Sequence, residues 1–241
     1  MESLRHNAYP GRGVFVGRDV SGRHIVQATW IMGRSEKSRN RIYRAIDGRV
    51  FTEAADPEKM KGEDTGLIIY NAMDENGVTF VASNGHQTDS VIMSPSSCDL
   101  MNLDAVLSGY KYEPDAPNFT PRITTTCYIA NGKPQVQFSV LRKSSSDSSC
   151  ERDLFKYGRH SMIDAGYGYY VSTYTGDGNP LPPWQGEPSL LPVMGYPDDS
   201  ITDYLWTLLN PENRVSLAVK FIDLGTQKSR VTIVNKNKRT E

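Results

Sequence analysis

Four times along this chain, two runs of β-branched and aromatic residues flank a tight-turn signal, and that pattern commits it to antiparallel sheet. Val14 and Val16 precede Asp19-Val20-Ser21-Gly22, and an apolar run at 25–31 follows, with Gly22 suited to a positive-φ turn position. Runs at 66–72 and 78–82 flank Asp74-Glu75-Asn76-Gly77, whose Asn-Gly pair favours a two-residue hairpin turn. Runs at 123–130 and 136–141 are joined at Asn131-Gly132-Lys133-Pro134, and runs at 215–224 and 231–234 are joined around Gly225. Residues 167–174, rich in tyrosine and β-branched side chains, form a further strand candidate.

Helical spacing is rarer. Leu100, Leu103, Val106 and Leu107 mark one apolar face over 99–107, and Ile201, Tyr204, Leu205 and Leu208 another over 198–209. Asp198, Asp199 or Ser200 would cap the second helix and Pro211 would stop it; residues 87–93 form a third, shorter candidate. The expected class is α+β: two stacked, largely antiparallel sheets with helices outside, in one domain over 1–241. No linker divides the chain, and a polar tail is expected to fray from about residue 235.

Composition narrows the function. With 27 Lys+Arg against 28 Asp+Glu the net charge is −1, which argues against a sequence-independent nucleic-acid binder. No apolar run reaches membrane-spanning length, and MESLRHNAYPGRG lacks the apolar core of a secretory signal, so no membrane partner and a cytoplasmic location are expected. Cys98, Cys127 and Cys150 form no CxxC pair, and His6, His24, His86 and His160 lack metal-ligand spacing, so neither a metal nor another cofactor is expected.

Three polar clusters could carry chemistry. Gly33-Arg34-Ser35-Glu36-Lys37-Ser38-Arg39-Asn40-Arg41 offers guanidinium forks, hydroxyls and an amide to an anion, although such a run also suits a solvated loop. Tyr112-Glu113-Pro114-Asp115-Ala116-Pro117-Asn118-Phe119-Thr120-Pro121-Arg122 is braced by its prolines. It could hold Glu113 as a general acid or base, or be a structural turn in which Asp115 pairs with Arg122. The third cluster runs from Gly166 through Tyr167, Tyr169, Tyr170 and Tyr174 into Pro180-Leu181-Pro182-Pro183-Trp184, where tyrosines could stack on a flat ring or simply line a strand. Missing are a nucleophile elbow, a phosphate-binding P-loop and a Cys, Ser or Thr at the start of the chain, which reads Met1-Glu2, so covalent catalysis has no motif behind it.

In order, YPGRGVFVGR, GRSEKSRNR, IIYNAM, ASNGHQTD, YEPDAPNFTPRI and STYTGDGNPLPPWQGEP make the chain resemble the archaeal-type inosine monophosphate cyclohydrolase family and its bacterial homologues, from about Tyr9 to the final strands. EPDAPNFTPRI is the most specific segment. The arginine loop matches the family at Arg34-Ser35 and Asn40-Arg41, with extra residues and no proline between. The resemblance implies an αββα sandwich of the N-terminal-nucleophile-hydrolase type without the nucleophile, working as a homo-oligomer. It also implies closure of the ribotide of 5-formamidoimidazole-4-carboxamide to inosine monophosphate with loss of water, the last step of purine synthesis, without metal or redox cofactor.

Carried onto this sequence, the resemblance makes Arg34, Tyr70 and Glu113 the catalytic candidates: charge stabilisation or phosphate contact, oxyanion donor, and acid/base group respectively. Ser35, Arg39, Asn40, Arg41, Asn71, Asn84, Gly85, Thr120, Arg122, Thr173 and Tyr174 become candidates for binding the purine ribotide. The alternatives are a purine-ribotide binder without turnover and an amidohydrolase on the same sandwich, for which Ser3 or Cys98 would have to serve as nucleophile.

Overall fold

The computed structural model describes residues 3–62, 65–94, 103–158, 163–195 and 199–239. In chain order the strands are β1 (Gly13–Arg18), β2 (His24–Met32), β3 (Arg41–Ile46), β4 (Arg49–Ala54), β5 (Asn71–Glu75), β6 (Thr79–Ser83) and β7 (Arg122–Ala130). They continue as β8 (Lys133–Lys143), β9 (Cys150–Tyr157), β10 (Tyr167–Ser172), β11 (Ser189–Pro192), β12 (Arg214–Asp223) and β13 (Ser229–Asn235). The helices are α1 (Ser3–His6), α2 (Glu36–Arg39), α3 (Gln87–Met93), α4 (Leu103–Val106) and α5 (Asp199–Leu208).

Two sheets stack face to face, a six-stranded one in the order β11-β10-β1-β2-β12-β13 and a seven-stranded one running β3 to β9 in sequence order. All pairings between these strands are antiparallel. Their facing sides supply the main core, including Phe15, Ala28, Trp30, Met73, Phe80 and Phe138. α5 packs across β12 and β13 and buries Ile201, Leu205 and Leu208, the face its spacing predicted. α3 and α4 cover the outside of the other sheet, where Val91, Leu103 and Leu107 meet Val81 and Leu141. The α+β sandwich with outer helices is therefore present, with thin helical layers. No helix among the described residues is long and apolar enough to cross a membrane.

The hairpins at Gly22 and Asn131-Gly132 form with the positive φ that their turn residues favour. Other segments depart from expectation. The apolar run 66–72 is not one strand: β5 starts only at Asn71, and Ile68 and Ile69 turn back onto the Thr65 carbonyl. Thr52 makes that turn possible, because its hydroxyl donates to the Ile68 carbonyl at 2.8 Å and accepts from the Tyr70 amide at 2.7 Å. β3 and β4 form a hairpin through Asp47-Gly48, both at positive φ, which the charged character of residues 41–49 had obscured. β9 and β11 were not anticipated either.

The helix expected over 99–107 is seen as α4; its earlier part, including Leu100, lies outside the described residues, as does the capping candidate Asp198. The tail is held rather than frayed as far as Arg239. The Asn235 amide group pairs with both the backbone N–H and the carbonyl of Tyr43, Asn237 donates to the Arg39 carbonyl, and Arg239 pairs with Glu53 at 2.6 Å.

Besides hydrogen bonds from Gln27 to the Phe80 carbonyl and between Thr29 and Tyr43, an ion pair crosses the apolar interface between the sheets. Lys220 of β12 is fully buried and pairs with Glu75 of β5, which also accepts from the Ser229 hydroxyl. Burial pushes the Lys220 ammonium below its ordinary value, and Glu75 offsets only part of that. A buried pair of this kind costs more when halved than when replaced. Glu75→Leu should therefore destabilise the fold by about 3–5 kcal/mol, as expected for an orphaned buried charge, whereas the double variant Glu75→Leu/Lys220→Met, which replaces the whole pair, should lose clearly less. Chemical denaturation of both variants checks this; equal losses would mean that an orphaned Lys220 charge is not the source of the cost.

Candidate active site

The start of β1, the end of β2 and the end of β10 lie together because these strands are antiparallel neighbours: Gly13 is opposite both Trp30 and Ser172. The starts of β3, β5 and β7 reach the same end of the molecule from the other sheet. The segments entering and leaving these strands enclose a cavity of about 520 Å³.

Its most constrained wall is Tyr9-Pro10-Gly11-Arg12-Gly13. A Cβ on Gly11 would lie 2.2 Å from the Thr173 hydroxyl, and one on Gly13 would lie 1.9 Å from the Trp30 ring. Only glycine allows this approach, and Gly11 also has φ +71°. The backbone between them is pinned to the β10 exit: the Thr173 amide donates to the Arg12 carbonyl at 2.8 Å, and the Thr173 hydroxyl accepts from the Arg12 amide at 3.1 Å.

Arg12 thereby projects across to the other sheet. It donates to Glu113 Oε2 at 2.6 Å and to the Asn84 carbonyl at 3.0 Å. Both side chains are largely buried, Glu113 to 2% exposure. Burial works against the charge on Arg12, but Glu113 and the nearby Tyr70 and Tyr174 more than offset it, leaving the guanidinium well above its ordinary value. Among the described residues Glu113 Oε1 accepts no hydrogen bond; Arg122 stands 3.8 Å from it.

Arg41, on the adjoining wall, is different. It is buried, and its hydrogen bonds go to the backbone carbonyls of Ser38 and Met32. Among the described residues no carboxylate pairs with it. Burial holds its guanidinium below its ordinary value; Tyr70 works against that shift and Arg12 adds to it. The buried Tyr70 hydroxyl, close enough to feel Arg12, Arg41 and Glu113, makes no well-formed hydrogen bond, and burial pushes it up. Opposite, Tyr174 stacks on Tyr9 with centroids 6.1 Å apart, and burial pushes its hydroxyl up to about 12. Arg12, Arg34, Lys37 and Arg41 face the cavity against only Glu113 and Asp115, so the lining favours an anion.

Of the residues singled out from sequence, Arg34, Ser35, Arg41, Glu113, Thr120, Thr173 and Tyr174 line this cavity, with Tyr70 beside it. Arg34 sits at the mouth, over the Tyr9 ring at 4.7 Å and paired with Asp177. Ser35 caps α2 in a reciprocal arrangement with Ser38.

The others stand elsewhere. Arg39 turns away to the Gly33 carbonyl and Asn213. Asn40 clasps the backbone of Asp56. Asn71 faces Asp74 and Asp89 behind the cavity. The Asn84 side chain braces Pro121, Ile123 and Gln87. Gly85 leaves room for Arg122, whose guanidinium bonds to Gln87, so the turn pairing of Asp115 with Arg122 does not form. Asp115 instead accepts from the amide and hydroxyl of Thr120. Sequence reasoning missed Arg12, although its position between two glycines was the available signal.

The Arg12–Glu113 pair should be strongly coupled. Arg12→Gln or Glu113→Gln alone should each cost about 3–5 kcal/mol, because each strands a buried charge, and the double variant should lose clearly less than the sum. Unfolding of all four proteins measures the coupling; strict additivity would contradict it.

A search among curated proteins finds no match for the chain. A sequence model of the family described as IMP cyclohydrolase-like protein matches residues 9–228, which contain every cavity-lining residue named above. With nearly the whole sandwich and its charged cavity inside that match, the chain belongs to the IMP cyclohydrolase-like family.

Proposed function

We propose that this protein closes the formylated ribotide of 5-aminoimidazole-4-carboxamide to inosine monophosphate, releasing water. The observation that carries this assignment is one cavity holding both a buried cation, Arg41, and a buried carboxylate, Glu113, the first without a counter-ion and the second with one unpartnered oxygen among the described residues. A ribotide brings a phosphate for the first and an N–H-bearing heterocycle for the second. The family match supports cyclohydrolase chemistry in general; the ring-closing direction rests on what the side chains can do.

The carboxamide nitrogen is a weak nucleophile, so it must be held against the formyl carbon, which is a positioning task for a walled cavity. As the ring closes, charge develops on the formyl oxygen. The Tyr70 hydroxyl, buried and making no well-formed hydrogen bond among the described residues, is the donor available to meet it, with Arg12 and Arg41 close enough to favour negative charge. Glu113, with Oε2 anchored on Arg12 and Oε1 open, takes a proton from nitrogen and returns it to the departing oxygen. Arg34, Ser35 and Arg41 form the phosphate-facing side.

Mixing the purified protein with the formylated ribotide should produce the ultraviolet change of purine ring formation. Glu113→Gln should slow single-turnover closure by about 10²-fold or more, with a much smaller change in ribotide affinity. Because Glu113 also partners Arg12, the comparison belongs below the melting temperature of the variant. Ribotide binding without any closure by the parent would indicate a binding protein instead. Closure by a folded Glu113→Gln at the parental rate would remove Glu113 from the chemistry.

A further inference from the structure

The structure assigns a second proton path to the cavity: a relay from the Tyr174 hydroxyl through the Thr120 hydroxyl to the Asp115 carboxylate. This inference rests on the ring-closing reaction proposed above and adds residues to it.

The direction of the relay follows from hydrogen-bond counting. The Thr120 hydroxyl has one proton, and it goes to Asp115 Oδ2, which can only accept. Tyr174 Oη lies 2.5 Å from Thr120 Oγ1, so Tyr174 must be the donor in that contact. The hydroxyls thus point one way, from the cavity wall towards Asp115, and the Tyr174 oxygen keeps its lone pairs for a donor within the cavity.

All three side chains line the cavity, and Thr120 is buried. Their placement is fixed independently. The Thr120 amide donates to Asp115 Oδ1 at 2.6 Å, the Glu113 amide donates to the Thr120 carbonyl at 2.8 Å, and Tyr174 is held by the Pro10 carbonyl and the Tyr9 ring. The same short loop therefore positions both Glu113 and the relay.

The proton balance of ring closure gives such a relay a task. The carboxamide nitrogen loses one proton as it bonds to the formyl carbon. The formamide nitrogen loses its proton as the carbon–nitrogen double bond forms. The former formyl oxygen leaves as water carrying both. Protons therefore depart from two nitrogens on either side of one carbon, and a single carboxylate anchored on Arg12 serves one of them. In the relay, an N–H proton passes to Tyr174 Oη, the tyrosine proton passes to Thr120 Oγ1, and the threonine proton passes to Asp115. Reversal of the same shifts delivers the proton to the departing oxygen. Tyr174 is the group that meets the substrate; Thr120 and Asp115 act through it.

The test compares Thr120→Val, which keeps the shape and removes the hydroxyl, with Thr120→Ser, which restores it. Closure of the formylated ribotide by parent and variants is followed in H2O and D2O, alongside melting curves. Thr120→Val is expected to lower kcat by about 10-fold or more, at the low end for proton-transfer catalysis, with KM within about 3-fold. Thr120→Ser should stay within about 3-fold of the parent. The solvent isotope effect on kcat should change in the valine variant and not in the serine variant. Parental kcat and isotope effect in folded Thr120→Val would overturn the relay while leaving ring closure intact. A fall in kcat shared equally by Thr120→Ser and Thr120→Val would also overturn it, by showing that threonine serves shape alone. A parent that fails to close the ring would sink the functional assignment first, and the relay with it.

Discussion

The ion pair between Arg12 and Glu113 is the contact around which the functional end of this molecule is organised. It joins the residue preceding β1 in one sheet to the loop preceding β7 in the other, through a charge-assisted bond of 2.6 Å. Two buried charges are expensive to desolvate, and the arrangement persists because nearly every other group nearby contributes to it. Gly11 and Gly13 let the backbone press against Thr173 and Trp30, Thr173 pins the Arg12 amide, and the Asn84 carbonyl takes a further guanidinium proton. The Asn84 side chain braces Pro121, Ile123 and Gln87, and Gly85 leaves room for Arg122, so both frame the segment between Glu113 and β7.

Charge is then distributed unevenly around the cavity. Glu113 is matched by Arg12, whereas among the described residues Arg41 has only backbone carbonyls and the neighbouring tyrosines to stabilise it. A buried cation without a counter-ion lowers the cost of bringing an anion in from water, and the fixed donors around it need little reorganisation. The proposed division of labour follows: Arg41 and the α2 loop on the phosphate, Tyr70 and Glu113 on the reacting atoms, with Arg34 and Asp177 at the entrance.

Hairpins and loops were the legible part of this chain. Gly22 and Asn131-Gly132 announce local geometry in residue type alone, and so did Asp47-Gly48, where the surrounding arginines drew attention to anion binding instead. The run Leu67-Ile68-Ile69 has strand composition yet folds as a turn, because Thr52, distant in sequence, supplies the hydrogen bonds a neighbouring strand would have given. The prolines of 112–122 marked a loop, but not its wiring: Asp115 takes Thr120, and Arg122 takes Gln87. Arg12 stands between two glycines, a local signal of close backbone approach, but its partner Glu113 lies in the other sheet and the sequence does not encode that meeting.

The central claim is that the unmatched charge on Arg41 is there to receive a phosphate. Calorimetric titration of the parent and Arg41→Ala with inosine monophosphate and with inosine tests it most directly. The account predicts that Arg41→Ala weakens nucleotide binding by roughly 10- to 100-fold, about 1.5–3 kcal/mol for a lost charge-assisted hydrogen bond, and leaves the nucleoside nearly unaffected. Equal losses for nucleotide and nucleoside would place Arg41 away from the phosphate and contradict the account.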